Sequence, residues 1–327
     1  MKFNTKHKLK FRPDGTFRVV MMSDIQESAQ YDPRSLRSVE VILDEADPDL
    51  VILGGDNCFG PEIQNKEDLK SFIDIFTAPM EKRGIPWAHI FGNHDHDVEL
   101  DLDEHQALYE AHPMCVSKHT GSDIHGKTNF VLPIFNKKDE IALAVWGIDT
   151  NCQLEQSAEW VEQCKRDGHL LPIEINSTPD DYAYWGMICV DQLLWYYNTS
   201  IELEKNVGKK VPGLLCMHVP PNEYQITRDN PEKYGRGGNY DEGFCGMGQD
   251  PGIFKLVRYR GDICAISCGH THMNDYESEY EGIRLFWDAC CGYRCYGVDE
   301  RRGGRLFVFN EANPTQFESH MIRTLGK

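Results

Sequence analysis

Leu50-Val51-Ile52-Leu53-Gly54-Gly55-Asp56-Asn57 is the stretch on which the fold of this chain turns. The continuous apolar run suits a short strand covered on both faces, as in the parallel sheets of α/β proteins. The glycines let the backbone turn sharply and deliver Asp56 at the carboxyl end of the strand, where open α/β folds place their sites. The same device occurs on either side. Residues 17–22 run into Ser23-Asp24-Ile25-Gln26, and residues 85–91 run into Gly92-Asn93-His94-Asp95. Helical patterns separate them. Asp32-Pro33 supplies an N-cap and a first helical residue, and Asp47-Pro48 stops that helix; a second, over 66–82, ends at Gly84. A lone Asp after a strand is usually a turn former or a cap. Three successive strand ends, each carrying a candidate ligand, point to one site.

The pattern extends in both directions. Residues 9–12, Pro13-Asp14-Gly15 and 17–22 read as a β-hairpin. The second half is strand-rich, with strands expected at 130–135, 141–148, 211–217, 263–267, 284–287, 305–309 and 316–322, and helices at 190–204 and 253–259. Two long polar stretches, about 152–188 and 221–252, read as loop or lid insertions in a single domain spanning 1–327. The strands at 211–217 and 263–267 end in Met217-His218-Val219-Pro220 and Gly269-His270-Thr271-His272.

Five ligand-rich strings thus supply carboxylate, amide and imidazole donors for two divalent metals. Asp56 is placed as the bridging carboxylate. Asp24, His272 and Gln26 would hold one metal, and Asn93, His218 and His270 the other. Two dications against two carboxylates leave a net positive centre, which attracts phosphate. His94 follows ligand Asn93 directly, so it is expected beside the coordination shell as the general acid, with Asp95 and Asp97 keeping it protonated. His96, His105, His112, His119 and His125 show no partner pattern and read as surface or structural residues.

Composition narrows the substrate. With 34 Lys+Arg and 52 Asp+Glu, the net charge is −18, which disfavours nucleic acid and anionic membranes and favours a small phosphorylated substrate drawn in locally. Residues 1–12 show no apolar signal region, and no run is long enough to span a membrane. The 12 cysteines contain no CxxC pair and read as reduced thiols, so a cytoplasmic location is expected.

The five strings resemble the signature of the calcineurin-like metallophosphoesterase superfamily (DxH, GDxx, GNHD/E, a later His, and GHxH), in order and over nearly the whole chain. Longer segments look like the small purple-acid-phosphatase-like phosphohydrolases of plants and fungi: Asp47-Pro48-Asp49-Leu50-Val51, Gly55-Asp56-Asn57-Cys58-Phe59-Gly60, Ile85-Pro86-Trp87, His218-Val219-Pro220-Pro221-Asn222-Glu223-Tyr224, His272-Met273-Asn274-Asp275-Tyr276, and Gly292-Tyr293 with Tyr296-Gly297. The resemblance implies a four-layer α/β/β/α sandwich of two mixed sheets flanked by helices. It also implies phosphoester hydrolysis by a metal-activated hydroxide. The chain departs from the pattern at Gln26, where the family usually has His. An amide oxygen is a harder and weaker ligand than imidazole, which favours manganese or magnesium over zinc or iron. Gln at this place also resembles the manganese-dependent pyrophosphatases of the superfamily. A phosphatase is the first reading, a phosphodiesterase or pyrophosphatase on a nucleotide-like substrate the second, and a noncatalytic scaffold the third. Tyr224, Arg228, Arg236 and Arg294 are candidate substrate contacts.

Overall fold

Strand β1 (Thr16–Met22) is buried on both faces along its C-terminal half. Val19 and Met21 point into one apolar layer, and Val20 and Met22 into another. This period-two division is what a strand between two packed layers requires. In the computed structural model, which describes residues 7–118, 124–152, 166, 168, 185–248 and 250–327, the division repeats in β2 (Leu50–Gly54). Leu50 and Ile52 join the layer of Val19, and Val51 and Leu53 that of Val20.

Strands β1, β2, β3 (Trp87–Ile90), β11 (Gly303–Asn310) and β12 (Glu318–Arg323) form a five-stranded sheet in the order β12-β11-β1-β2-β3. Strands β4 (Phe130–Phe135), β5 (Ile141–Gly147), β6 (Gly213–Met217), β7 (Gly235–Gly237), β8 (Ile263–Cys268), β9 (Glu277–Tyr280) and β10 (Ile283–Trp287) form a second, ordered β4-β5-β6-β8-β10-β9-β7. Both are mixed. β1, β2 and β3 are mutually parallel, as are β5, β6, β8 and β10, while the remaining pairings are antiparallel. One apolar layer lies between the sheets, carrying Leu143, Val145, Leu214, Phe286 and Phe307. Helices Pro33–Ala46, Lys66–Arg83 and Leu102–Glu110 contribute to the layer outside the first sheet, and Val190–Val207 and Ile253–Arg260 to that outside the second. The architecture is therefore the four-layer α/β/β/α sandwich expected from the sequence.

Caps follow from local chemistry. Asp32 accepts from Arg34 N and precedes Pro33 at the first helical position, and Asn65 accepts from Glu67 N and Asp68 N.

Two expectations are corrected. Residues 9–12 do not form a hairpin with β1. Its edges are already taken by β2 and β11, so Lys10 bridges Phe135 instead, and only the turn survives, with Arg12 N donating to Thr16 O at 2.8 Å. Residues 221–252 are not wholly loop. They carry helices Glu223–Asp229 and Pro231–Tyr234 and edge strand β7. The lid expected at about 152–188 lies mostly outside the described residues.

One packing detail carries a prediction. The His105 ring lies 4.6 Å from that of Phe91 and 5.6 Å from that of Tyr109, and neither of its nitrogens has a hydrogen-bond partner among the described residues. Burial, helped by His89 and His96, pushes this imidazole from 6.5 down to about 3. Between those values the unfolded chain binds a proton that the folded chain does not. This contribution to stability is therefore complete above the unfolded pKa and is lost as pH falls toward the folded one, at roughly 1.4 kcal/mol per pH unit. His105→Phe is expected to remove that slope in metal-free protein. Urea unfolding at about pH 6 and about pH 4 reads the difference, and a slope equal to wild type would mean that the ring is not buried neutral.

Candidate active site

The candidate ligands all follow the carboxyl ends of parallel strands. Asp24 follows β1, Asp56 β2, Asn93 β3, His218 β6, and His270 and His272 β8. Turning each strand end into one cleft forces the backbone into unusual shapes. Asp24, Gln26, Asp56 and His270 have φ of 53°, 42°, 48° and 71°, in the left-handed region. Each such residue costs on the order of 1–3 kcal/mol, and such strain clusters at functional sites. The approach is also close: a Cβ on Gly92 would collide with the Asp56 carboxylate, and one on Gly269 with Ser23 and Asp24.

One ligand atom from each of Asp56, His218 and His270 lies within 4.8 Å of the others, and the same holds for Asp24, Asp56 and His272. Asp56 is common to both trios, which is the geometry of a bridging carboxylate. His218 Nε2 is 3.1 Å from Asp56 Oδ2, and His272 Nε2 is 3.3 Å from Asp24 Oδ1. The Gln26 amide is 3.1 Å from Asp56 Oδ2; half a turn about its last bond exchanges Nε2 for an oxygen donor. Asn93 is buried next to Gly92, and neither of its amide atoms has a hydrogen-bond partner among the described residues.

The donor set fits metals. Among the described residues, both nitrogens of His270 and both amide atoms of Asn93 are buried without hydrogen-bond partners, and Asp24 Oδ1 and His218 Nε2 meet only other candidate ligands, with no well-aligned hydrogen bond. Buried polar atoms are otherwise nearly always satisfied. Burial alone would raise the Asp56 carboxyl, yet His218 and then His94 and His270 hold it far below the usual range. Conversely, burial alone would lower His218, and Asp56 with Asp24 drives it up to about 9. The two carboxylates thus demand positive charge in a place closed to water, a demand that dications satisfy. Neighbouring carbonyls orient the imidazoles: His218 Nδ1 sits 2.9 Å from Gly54 O and His272 Nδ1 2.9 Å from Tyr296 O, leaving each Nε2 toward the carboxylates.

His94 lies beside this cluster. Its backbone N–H donates to Asp56 Oδ1 at 2.8 Å, its Nδ1 is 2.7 Å from Asp97 Oδ2, and its side chain is 40% exposed. Burial opposes protonation, but the Asp97 hydrogen bond and the Asp56 charge raise the ring to about 9. Asp95 has a different role from the one expected. It is buried and accepts from Gly92 N at 2.8 Å, Asn57 N at 3.1 Å and Cys58 N at 3.2 Å, tying two ligand loops together.

The substrate candidates fare differently. Tyr224 is a correction. It is fully buried, its hydroxyl donating to Ile266 O at 2.9 Å and its ring 4.9 Å from that of Trp287, so it is a core residue closed to substrate. Arg228 pairs with Asp229 at 2.9 Å and lies over Tyr240. Arg236 pairs with Glu279 at the sheet edge. Arg294 pairs with Glu62 and reaches Ser28 at 3.1 Å. Each of these cations is already engaged. Two aromatic residues beside the imidazoles were not anticipated as site residues. The Tyr296 ring stacks on His272 at 4.1 Å and is 58% exposed, and the Trp185 ring lies 5.5 Å from that of His270. Tyr296 stands in one of the segments that carry the family resemblance, with no role assigned to it there, and Trp185 falls in the stretch read as a lid.

Known proteins are similar to this chain in sequence or in fold. The chain is 25% identical over 319 residues to "Probable inactive purple acid phosphatase 14" of Arabidopsis thaliana, covering 89% of this chain and 74% of that one. It is 26% identical over 291 residues to phosphatase DCR2 of Saccharomyces cerevisiae, covering 80% of this chain and 45% of the yeast protein. The crystal structure of a dimetal phosphatase from Danio rerio superposes with a TM-score of 0.57 at 11% identity, over 93% of this chain and 98% of that one. The calcineurin-like phosphoesterase family model matches residues 17–274, from β1 through the turn that carries His270 and His272, and the chain belongs to that family.

Proposed function

We propose that the chain is a phosphoester hydrolase that uses two divalent metals on a small phosphorylated substrate. The observation that carries this reading is the pair of ligand trios sharing Asp56, with His94 held against the same carboxylate. The family generally binds two divalent metals. When bound, such a pair polarises phosphoryl oxygens and acidifies water near neutral pH. Asp24, Gln26, Asp56 and His272 would hold one metal, and Asp56, Asn93, His218 and His270 the other, with manganese favoured by the oxygen donor of Gln26.

The protein's own groups supply the remaining chemistry. Asp97 anchors His94 through Nδ1 and leaves Nε2 to give its proton to the departing alkoxide. The His94 N–H donates to one oxygen of the Asp56 carboxylate and so fixes its orientation. A diester or diphosphate substrate is the second reading, favoured by the amide at Gln26 and by the exposed Tyr296 ring, which offers a face to a planar leaving group.

The test is hydrolysis of nitrophenyl phosphate and bis-nitrophenyl phosphate by metal-stripped protein resupplied with Mn²⁺, Mg²⁺, Zn²⁺ or Fe²⁺. Metal-dependent release, fastest with manganese and from the monoester, is expected. Preference for the diester moves the assignment to the second reading. Metal binding without release from either ester points to a scaffold, in keeping with the name of the Arabidopsis relative.

A further inference from the structure

Residues 290–296 pass beneath the ligand loops. Cys290 N donates to His272 O at 3.1 Å, Cys291 N to Ser23 O at 2.8 Å and Gly292 N to Asp24 O at 3.2 Å. The sulfurs of Cys290 and Cys295 and one ring nitrogen of His272 all lie within 4.8 Å of one another. Arg302, 3% exposed, sits against both sulfurs, its Nη1 3.0 Å from Cys290 Sγ and 3.7 Å from Cys295 Sγ. A buried guanidinium there opposes a further cation and stabilises negative charge developing on sulfur. Cys291 belongs to a different environment, the apolar layer outside the first sheet. Cys290 is closed to solvent, while Cys295 is 9% exposed.

We propose that Cys290 and Cys295 are an oxidation site for hydroperoxides, forming a reversible disulfide that releases the metal held through His272. The coupling rests on the reading of His272 as a metal ligand; the disulfide itself does not. The less buried Cys295 sulfur attacks a peroxide oxygen. With hydrogen peroxide, the O–O bond breaks, the leaving oxygen takes up the thiol proton and departs as water (as an alcohol from an organic hydroperoxide), and a sulfenic acid remains. The Cys290 sulfur then attacks Cys295, the S–S bond forms, the S–O bond breaks, and a second water leaves. The two thiols are oxidised together and the peroxide is reduced, so electrons balance.

The sulfurs must close by less than about 3 Å to reach disulfide length. Tyr296 O, which orients His272 through Nδ1, lies 3.7 Å from Cys290 Sγ and adjoins Cys295. Drawing the sulfurs together therefore displaces the carbonyl that fixes the His272 ring. Loss of such an outer partner weakens metal affinity by roughly 10–100-fold.

The experiment treats reduced, manganese-loaded full-length protein with hydrogen peroxide, blocks free thiols, digests with trypsin and reads the peptides by mass spectrometry. Cleavage after Arg294 falls between the two cysteines, so the disulfide holds together two peptides that otherwise separate. The expected result is this linked pair in wild type and in Cys291→Ser, its absence in Cys290→Ser, and its loss on adding dithiothreitol. Bound metal should fall as the link forms and return on reduction. Cys290→Ser, which cannot close the link, should instead accumulate a dimedone-trapped sulfenic acid at Cys295. Unlinked peptides in oxidised wild type, or a link that disappears in Cys291→Ser, would overturn the proposal. A link with unchanged metal content would overturn the coupling to His272. A chain that binds no metal even when reduced would fail the metal-centre reading, and the linked peptides would still decide the disulfide.

Discussion

Asp56→Ala is expected to release both metals, with hydrolysis falling by at least roughly 10²–10³-fold, the scale seen when a principal electrostatic contributor is removed from a site. The reason is the place of Asp56 in both ligand trios. Other side chains in the cluster serve one trio each: His218 and His270 complete one, Asp24 and His272 the other. Asp24→Ala should accordingly empty one position and spare the second. Elemental analysis of the purified variants, compared with wild type and normalised to protein, distinguishes the two. Full retention of either metal by Asp56→Ala would remove the bridging role, whatever happened to the rate. Circular dichroism controls for folding, because the substitution also takes from His218 the carboxylate that lies 3.1 Å away.

His94→Ala should separate substrates by leaving group. An alkoxide of high pKa needs a proton as the P–O bond breaks, and a well-placed general acid contributes about 10²–10⁴-fold. A nitrophenolate leaves without help. Alkyl phosphates are therefore expected to lose about that factor, and nitrophenyl esters less than about 10-fold. Against burial and without metals, the Asp97 hydrogen bond and then the Asp56 charge raise the His94 ring to about 9. The Asp97 contact lies outside the candidate ligand set, so it persists when metals bind, and loss of His94 should leave metal content unchanged. Asp97→Asn supplies a second probe, since it keeps a hydrogen-bonding partner for Nδ1 and removes the charge. Equal losses on both substrate types would replace the general-acid role with one in binding phosphate.

Strand ends and ligand strings were legible because each rests on local sequence, and the four-layer sandwich was legible only through the family resemblance those strings carry. An apolar run flanked by glycine and Asp reads as a strand end wherever it stands. The misreadings arose where a distant part of the chain decides. The pattern of residues 9–12 is a fair first arm of a hairpin, but β11, from near the other end of the chain, takes that edge of β1. Tyr224 follows a metal-ligand string at loop distance, yet its hydroxyl is claimed by a carbonyl of β8, Ile266 O, and its ring packs beside Trp287 of β10. In His94-Asp95-His96-Asp97 the two carboxylates look equivalent. The 3₁₀ turn over Asn93–Asp97 brings Asp97 onto the His94 ring, while Asp95 turns inward to the backbone of Gly92, Asn57 and Cys58. Tyr296 stood in a segment that carries the resemblance, but its role was not legible there, because its place over His272 is a contact between residues 24 apart in sequence.

The ligands are divided between the two sheets. Asp24, Asp56 and Asn93 leave the five-stranded sheet, and His218, His270 and His272 leave the seven-stranded one. Metals seated among them would act as rivets across the sandwich, and occupancy and docking of the halves would become one linked equilibrium. Ions present at about a hundred times their dissociation constant add about 2.7 kcal/mol to stability per independent site. A shortage of metal would then be felt twice by the same molecule, as a silent catalyst and as a looser fold.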